Sequence, residues 1–298
     1  MLYTRAVSDL RFEFGSNWQR FLEVLNEERI ERAVSSLRRM LGSETLAGRS
    51  FLDVGSGSGL FSLAARRLGA KVVSFDYDPN SVRCTNTLKD RYFKNDPDWR
   101  IFQGSVLDPA FLKGLGTFHY VYSWGVLHHT GEMWKALANV DQLVLPGGRL
   151  CLAIYNDQGV VSRFWYYVKL LYNRSARWLR GLILLFFFLT KEITCFVTRL
   201  LTLRNPLPFE RWRKRREERG MSIWFDHIDW IGGFPFEVAT PEAIFDFYRQ
   251  RGYTLEDLLT CGGGSGCCEY VFAKGARSER FESEPGSDRK AAYEAAPN

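Results

Sequence analysis

Five short apolar runs, at residues 50–54, 71–75, 99–103, 119–123 and 149–154, alternate with stretches of helical periodicity near 59–68, 80–90, 106–113 and 132–143. Such alternation suits parallel strands joined by crossover helices, because a parallel pair cannot be closed by a tight hairpin. Right-handed crossovers bring the carboxyl ends of the strands to one edge of the sheet, where doubly wound folds bind their ligands. Pro146-Gly147-Gly148 reads as a turn before the fifth strand. The pattern resumes at Pro241, with a helix over 242–251 and strands near 253–259 and 269–274. The expected fold is α/β: a doubly wound, mostly parallel, seven-stranded sheet with a helical insertion after strand 5. Residues 1–48 form an N-terminal helical segment, whose apolar spacing predicts a helix over 17–40. The main domain spans 49–274, with 160–238 as insertion or lid. The Ser-, Glu-, Pro- and Ala-rich stretch 275–298 is expected to be a disordered tail.

The segment Phe51-Leu52-Asp53-Val54-Gly55-Ser56-Gly57-Ser58-Gly59 runs an apolar strand into three alternating glycines and then a helix. Glycines there let the chain turn sharply and let a ligand press on the main chain, while the helix start offers free N–H groups. The loop lacks the Gly-Lys-Ser/Thr of a phosphate-binding loop. Its third glycine comes one residue too early for a dinucleotide fingerprint, with Leu60 in that place. Asp53, two residues before Gly55, would repel a pyrophosphate and suits a cationic amino-acid group. The second strand ends at Asp76, 21 residues after Gly55, where a carboxylate accepts both hydroxyl hydrogens of a ribose. Tyr77 follows it, and Asp78, before Pro79, is placed to cap the next helix. Past the third strand, Ser105 and Val106 border the expected place of a base.

The elements DVGSGSG, FDYDP, GSVLD and YSWGVLHHT, in this order, resemble class I S-adenosylmethionine-dependent methyltransferases, nearest the small-molecule group that includes the ubiquinone-biosynthesis O-methyltransferases. The resemblance covers residues 51–155 well and 241–274 more loosely. It implies S-adenosyl-L-methionine as cofactor, with Gly55, Ser56, Gly57 and Gly59 along the methionine moiety, Asp53 orienting it and Asp76 on the ribose. Ser123 and Trp124, at the end of the fourth strand, join that cofactor set. One stretch departs from the group: positions that are acidic and implicated in metal binding there read Gly125 and His128 here, so no metal is expected.

Methyl transfer from a sulfonium rests on alignment, and a base assists when the nucleophile carries a proton. His128 and His129, beside the cofactor edge, are the candidates for that role. Tyr155 and Asn156, after the fifth strand, and His227 and Trp230, in an aromatic stretch after the insertion, are candidate acceptor-binding residues. A small organic, lipophilic acceptor with O-methylation preferred is the leading expectation. Two alternatives stay open: a non-catalytic S-adenosylmethionine-binding protein, or an enzyme acting on RNA or protein. Against nucleic acid stand Ser123-Trp124-Gly125, where base methylation often uses an Asn/Asp-Pro-Pro-aromatic motif, and the acidic Glu217 and Glu218 within the basic run.

Charge and apolar character both concentrate in the insertion. Residues 160–220 hold 14 Lys and Arg against 4 Asp and Glu, in a chain whose net charge is +6. The run 181–189 is the most apolar in the chain, too short between Arg180 and Lys191 to span a bilayer of ~20 residues. An apolar helix followed by the basic residues of 211–219 suits peripheral membrane contact through 178–219, a lid over a lipophilic substrate, or a homo-oligomer contact. Six cysteines without a CxxC pair and four scattered histidines give no metal-site spacing. The N-terminus lacks the apolar core of a secretory signal, so the expected location is cytoplasmic, with membrane association through the insertion.

Overall fold

The computed structural model describes residues 10–12, 14–203, 205, 207–209, 212 and 223–276. The basic stretch 211–219, apart from Trp212, and the expected tail beyond residue 276 lie outside the described residues.

Seven strands form one sheet: β1 (Ser50–Val54), β2 (Lys71–Asp76), β3 (Trp99–Gln103), β4 (Phe118–Trp124), β5 (Val144–Tyr155), β6 (Tyr253–Leu259) and β7 (Cys267–Lys274). Their order is β3-β2-β1-β4-β5-β7-β6. β1 to β5 pair in parallel, and β7 runs antiparallel between β5 and β6. The chain leaves β1 toward β2 and β3, then returns to β4 on the other side. The switch point therefore lies between β1 and β4, where the ends of neighbouring strands part and open a crevice. Phe51, Leu52 and Val54 are fully buried, as expected for a central parallel strand covered on both faces.

Helices α1 (Gly15–Glu23) and α2 (Glu27–Leu41) precede the sheet. The single helix expected over 17–40 is thus two. Asn26 breaks it by accepting the Arg29 N–H at 3.1 Å, the start signal of a new helix. α3 (Leu60–Arg67), α4 (Pro79–Tyr92), α5 (Pro109–Leu115) and α6 (Met133–Asp141) are the crossovers. Pro146-Gly147-Gly148 is not a turn before β5 but a bulge inside it. Val144 pairs with Phe118, and the next pair in register is Arg149 with Tyr120.

Among the described residues, α7 (Val160–Arg174), α8 (Arg177–Leu201) and α9 (Ile223–Gly232) stand between β5 and the closing unit. α10 (Pro241–Arg249) then leads to β6. The apolar run of the insertion belongs to the 25-residue α8, which passes through Arg180, Lys191 and Arg199 without a break. α8 is long and apolar enough to cross a membrane by length and composition.

Candidate active site

The crevice at the β1/β4 switch point has a volume of about 890 Å³. Its floor is the glycine loop, held by local geometry. Gly55 and Gly59 adopt φ of +78° and +81°, the left-handed region that favours glycine. A Cβ on Gly59 would lie 2.8 Å from the Thr85 Cα, so this glycine also sets how closely α3 approaches α4.

Asp76 ends β2 as the second wall. Its Oδ2 accepts the Gly57 N–H at 2.9 Å and its Oδ1 the Asp78 N–H at 2.9 Å, tying the glycine loop to the β2 turn. Burial pushes its carboxyl up to about 6 despite these bonds. Asp78 caps α4 through Asn80 N–H at 2.8 Å. Its other oxygen accepts the Gly15 N–H of α1 at 2.9 Å.

Asp53 lies beneath the loop, 2% exposed. Ser62 donates to its Oδ2 at 2.5 Å, so the Ser74 hydroxyl, 2.7 Å from Ser62, donates to Ser62 in turn. The Trp99 indole N–H then donates to Ser74 at 3.0 Å. This chain of donors runs from β3 through β2 and α3 to β1. Desolvation still lifts the Asp53 carboxyl to about 7, with the Asp76 charge adding to it. The neighbouring Tyr122 hydroxyl, on the residue paired with Asp53 in β4, is buried and finds no hydrogen-bond partner among the described residues.

The far end of the crevice is aromatic, with Tyr155, Trp230 and Phe234 as walls. His129 is its imidazole. The Nδ1 of His129 lies 2.6 Å from the Pro235 carbonyl, which places the ring proton on Nδ1 and leaves Nε2 as the acceptor nitrogen. Burial pulls its pKa down to about 3, so the ring is neutral at physiological pH. His128 is fully buried behind it and does not line the crevice. Its Nδ1 accepts the Tyr155 N–H at 3.3 Å, and its ring lies 3.9 Å from the Tyr155 ring. The proton of His128 then sits on Nε2, which has no partner among the described residues.

The sequence-derived residues Asp53, Gly55, Ser56, Gly57, Asp76, Tyr77, Ser105, Val106, Trp124, His129, Tyr155 and Trp230 all line this one crevice. Gly59 stands behind the loop as the α3 N-cap. Ser123 is turned away: its hydroxyl donates to the Val54 carbonyl at 3.1 Å and joins β4 to β1. The Val106 carbonyl accepts the Asn139 amide at 2.8 Å. Asn156 and His227 do not line the crevice. Asn156 donates its N–H to Gly266 at 2.9 Å, and His227 Nε2 lies 3.2 Å from the Leu184 carbonyl in the packing of α9 on α8.

The sequence reading missed the roof. Arg11, Phe12, Phe14 and Trp18 cover the crevice from the N-terminal side. Arg11 stacks on the Tyr77 ring at 4.5 Å and donates to the Thr130 carbonyl at 3.1 Å. Phe12 N–H donates to the Phe234 carbonyl at 2.9 Å, and the Asn17 amide donates to Asp229 of α9. The only signal in the chain was the aromatic pair Phe12 and Phe14 ahead of α1.

The comparisons with known proteins agree with this architecture. The model of the methyltransferase domain family matches residues 52–150. The ubiquinone biosynthesis O-methyltransferase of Xanthomonas oryzae pv. oryzae is 32% identical over 138 residues, 46% of this chain and 53% of that protein. The tRNA U34 carboxymethyltransferase of Methylococcus capsulatus is 32% identical over 128 residues, 42% of this chain and 38% of that protein. The chain thus spans about half, or less, of the length of these curated relatives. The solved magnesium protoporphyrin IX methyltransferase of Synechocystis PCC 6803, with bound S-adenosylhomocysteine, shares the fold at a TM-score of 0.52 and 12% identity, covering 92% of this chain and 100% of that one. Residues 52–150 thus match the methyltransferase domain family, and the fold is shared with a solved methyltransferase. The matched residues include the glycine loop and Asp76.

Proposed function

We propose that this chain methylates a small, lipophilic organic acceptor, with an oxygen nucleophile preferred. The observation that carries this reading is the aromatic wall of the crevice, where Phe12, Phe14, Tyr155, Trp230 and Phe234 stand beside a few polar residues, Arg11, His129, Thr130 and Asp229. An aromatic wall with few convergent polar groups favours a flat apolar molecule fixed by one or two hydrogen bonds. The likeness to a ubiquinone biosynthesis O-methyltransferase supports the same acceptor class.

The near half of the crevice fits the cofactor by its donor set. Carboxylates at Asp53 and Asp76 suit an ammonium group and ribose hydroxyls and would repel a diphosphate. In this proposal Asp76 accepts from the ribose, Asp53 and the backbone of Gly55, Ser56 and Gly57 hold the methionine end, and Tyr77, Ser105 and the Val106 N–H border the adenine. Trp124 closes the methionine side. The bound cofactor supplies an electrophilic sulfonium methyl.

His129 Nε2 accepts the hydrogen bond of the incoming hydroxyl and aims its lone pair. A full proton on a ring with pKa about 3 costs about 5 kcal/mol at neutral pH, so orientation outweighs proton storage in its contribution. His128 positions Tyr155, and Trp230 packs on Tyr155 at 5.7 Å between ring centroids. The test is a screen of hydroxylated aromatic and polyprenyl-type acceptors, read by S-adenosylhomocysteine formation. With an acceptor in hand, His129→Gln is expected to lower kcat roughly 10²-fold while cofactor affinity holds. Unchanged turnover in that variant would remove His129 from the reaction.

A further inference from the structure

We propose that the outer faces of α7 and α8 dock this protein on the surface of an anionic lipid bilayer. This inference stands apart from the acceptor reading, since it rests on surface the crevice does not use.

On α8, Trp178, Leu182, Leu185, Leu189, Ile193 and Phe196 follow one another at steps of three and four residues and so share one face. They are between 43% and 70% exposed. On α7, Val160, Phe164, Tyr167 and Leu171 repeat the arrangement, each more than half exposed. The opposite face of α8 is already used: Leu184 is buried in a cluster with Tyr172 of α7 and Ile231 of α9. A helix apolar all round is normally buried or in lipid, yet only 6% of the apolar window of α8 is buried. Among the described residues the exposed stripe is therefore a second, unpartnered face.

Charge selects the occupant. Residues 160–220 carry 14 basic side chains against 4 acidic ones. Arg163, Arg174 and Arg177 are exposed on the same two helices. A second copy of the chain would bring two such segments together against their own repulsion, whereas anionic headgroups complement them while the acyl region takes the apolar stripe. Docking is interfacial rather than spanning. Lys191 and Glu192 fall near the middle of α8, where a spanning helix would bury them, and Leu184 pins the inner face to the domain. The same helices lead to the crevice: Phe187 of α8 packs on Trp165 of α7 at 5.4 Å, and Trp165 packs on Trp230 at 5.8 Å.

The test is sedimentation of the full chain with phosphatidylcholine vesicles, with and without phosphatidylglycerol. Binding to the anionic vesicles only, released by high salt, is expected. The triple variant Leu185→Gln, Leu189→Gln, Ile193→Gln is expected to bind at least about tenfold more weakly, with its cofactor-induced Tm rise unchanged, which shows the domain intact. The proposal is overturned if the wild-type chain stays in the supernatant with both vesicle types, or if the variant binds as well as the wild type. It is equally overturned if high salt and alkaline washing leave the chain in the vesicles, the mark of a spanning helix. A concentration-dependent dimer that the triple variant abolishes, without vesicle binding, would assign the face to a second copy instead.

Discussion

Replacing Asp76 by alanine is expected to weaken S-adenosylmethionine binding by roughly 10²–10³-fold. A hydrogen bond to a charged group contributes about 1.5–3 kcal/mol, and the carboxylate at the end of β2 is assigned two ribose hydroxyls. The change also removes the acceptor for Gly57 N–H and Asp78 N–H, so the glycine loop and the β2 turn lose their common anchor. Asp76→Asn keeps the size and one acceptor oxygen, and should fall between. Calorimetric titration measures the loss, and a melting curve without ligand separates it from unfolding. Wild-type affinity in Asp76→Ala would show that the ribose is held elsewhere.

Cofactor affinity is expected to rise with pH between about 5 and 7.5. The free protein holds Asp76 up to about 6 and Asp53 up to about 7 by burial, so both are largely protonated at pH 5. A cationic, hydroxyl-donating ligand favours their ionised forms, and binding then releases protons. One unit below its pKa, Asp76 alone weakens binding about tenfold, and Asp53 adds to that. An α-amino group loses its charge near pH 8, so affinity should level and then decline beyond it. The stability of the unliganded chain runs the other way. A carboxylate whose folded pKa is raised binds more protons folded than unfolded, so stability falls as pH rises from about 4 to 7. Dissociation constants and ligand-free melting temperatures measured across this range check both slopes. A flat affinity profile would mean that neither carboxylate meets the ligand.

Much of this architecture was legible in the sequence because its signals are local. β1, β3 and β6 begin and end where the apolar runs do, since those runs are bounded by turn residues. The glycine loop and Asp76 were legible for the same reason: spacing along the chain fixes their spacing in the crevice. The break at Asn26 escaped because Leu22, Leu25 and Ile30 stay in helical phase across it, and only the cap distinguishes two helices from one. The bulge at Pro146-Gly147-Gly148 escaped because the same residues serve a turn and a bulge. Neither the roof nor the division of labour between His128 and His129 is a local property. Arg11 meets Thr130 across 119 residues, and Pro235, which fixes the His129 tautomer, lies 106 residues away. The length of α8 escaped because charges at Arg180 and Lys191 read as boundaries, while the helix carries them at its exposed or half-exposed positions.

The central claim is that the crevice between β1 and β4 takes a phosphate-free, cationic nucleoside. Thermal denaturation of the wild-type chain with S-adenosylmethionine or S-adenosylhomocysteine tests it most directly, with a nicotinamide dinucleotide as the control. At about a hundredfold excess over Kd, binding to the folded state alone adds about 2.7 kcal/mol, a Tm rise of roughly 5 °C or more. The account predicts that rise with both sulfur nucleosides and none with the dinucleotide. An unmoved Tm at millimolar S-adenosylhomocysteine, or an equal rise with the dinucleotide, would contradict it.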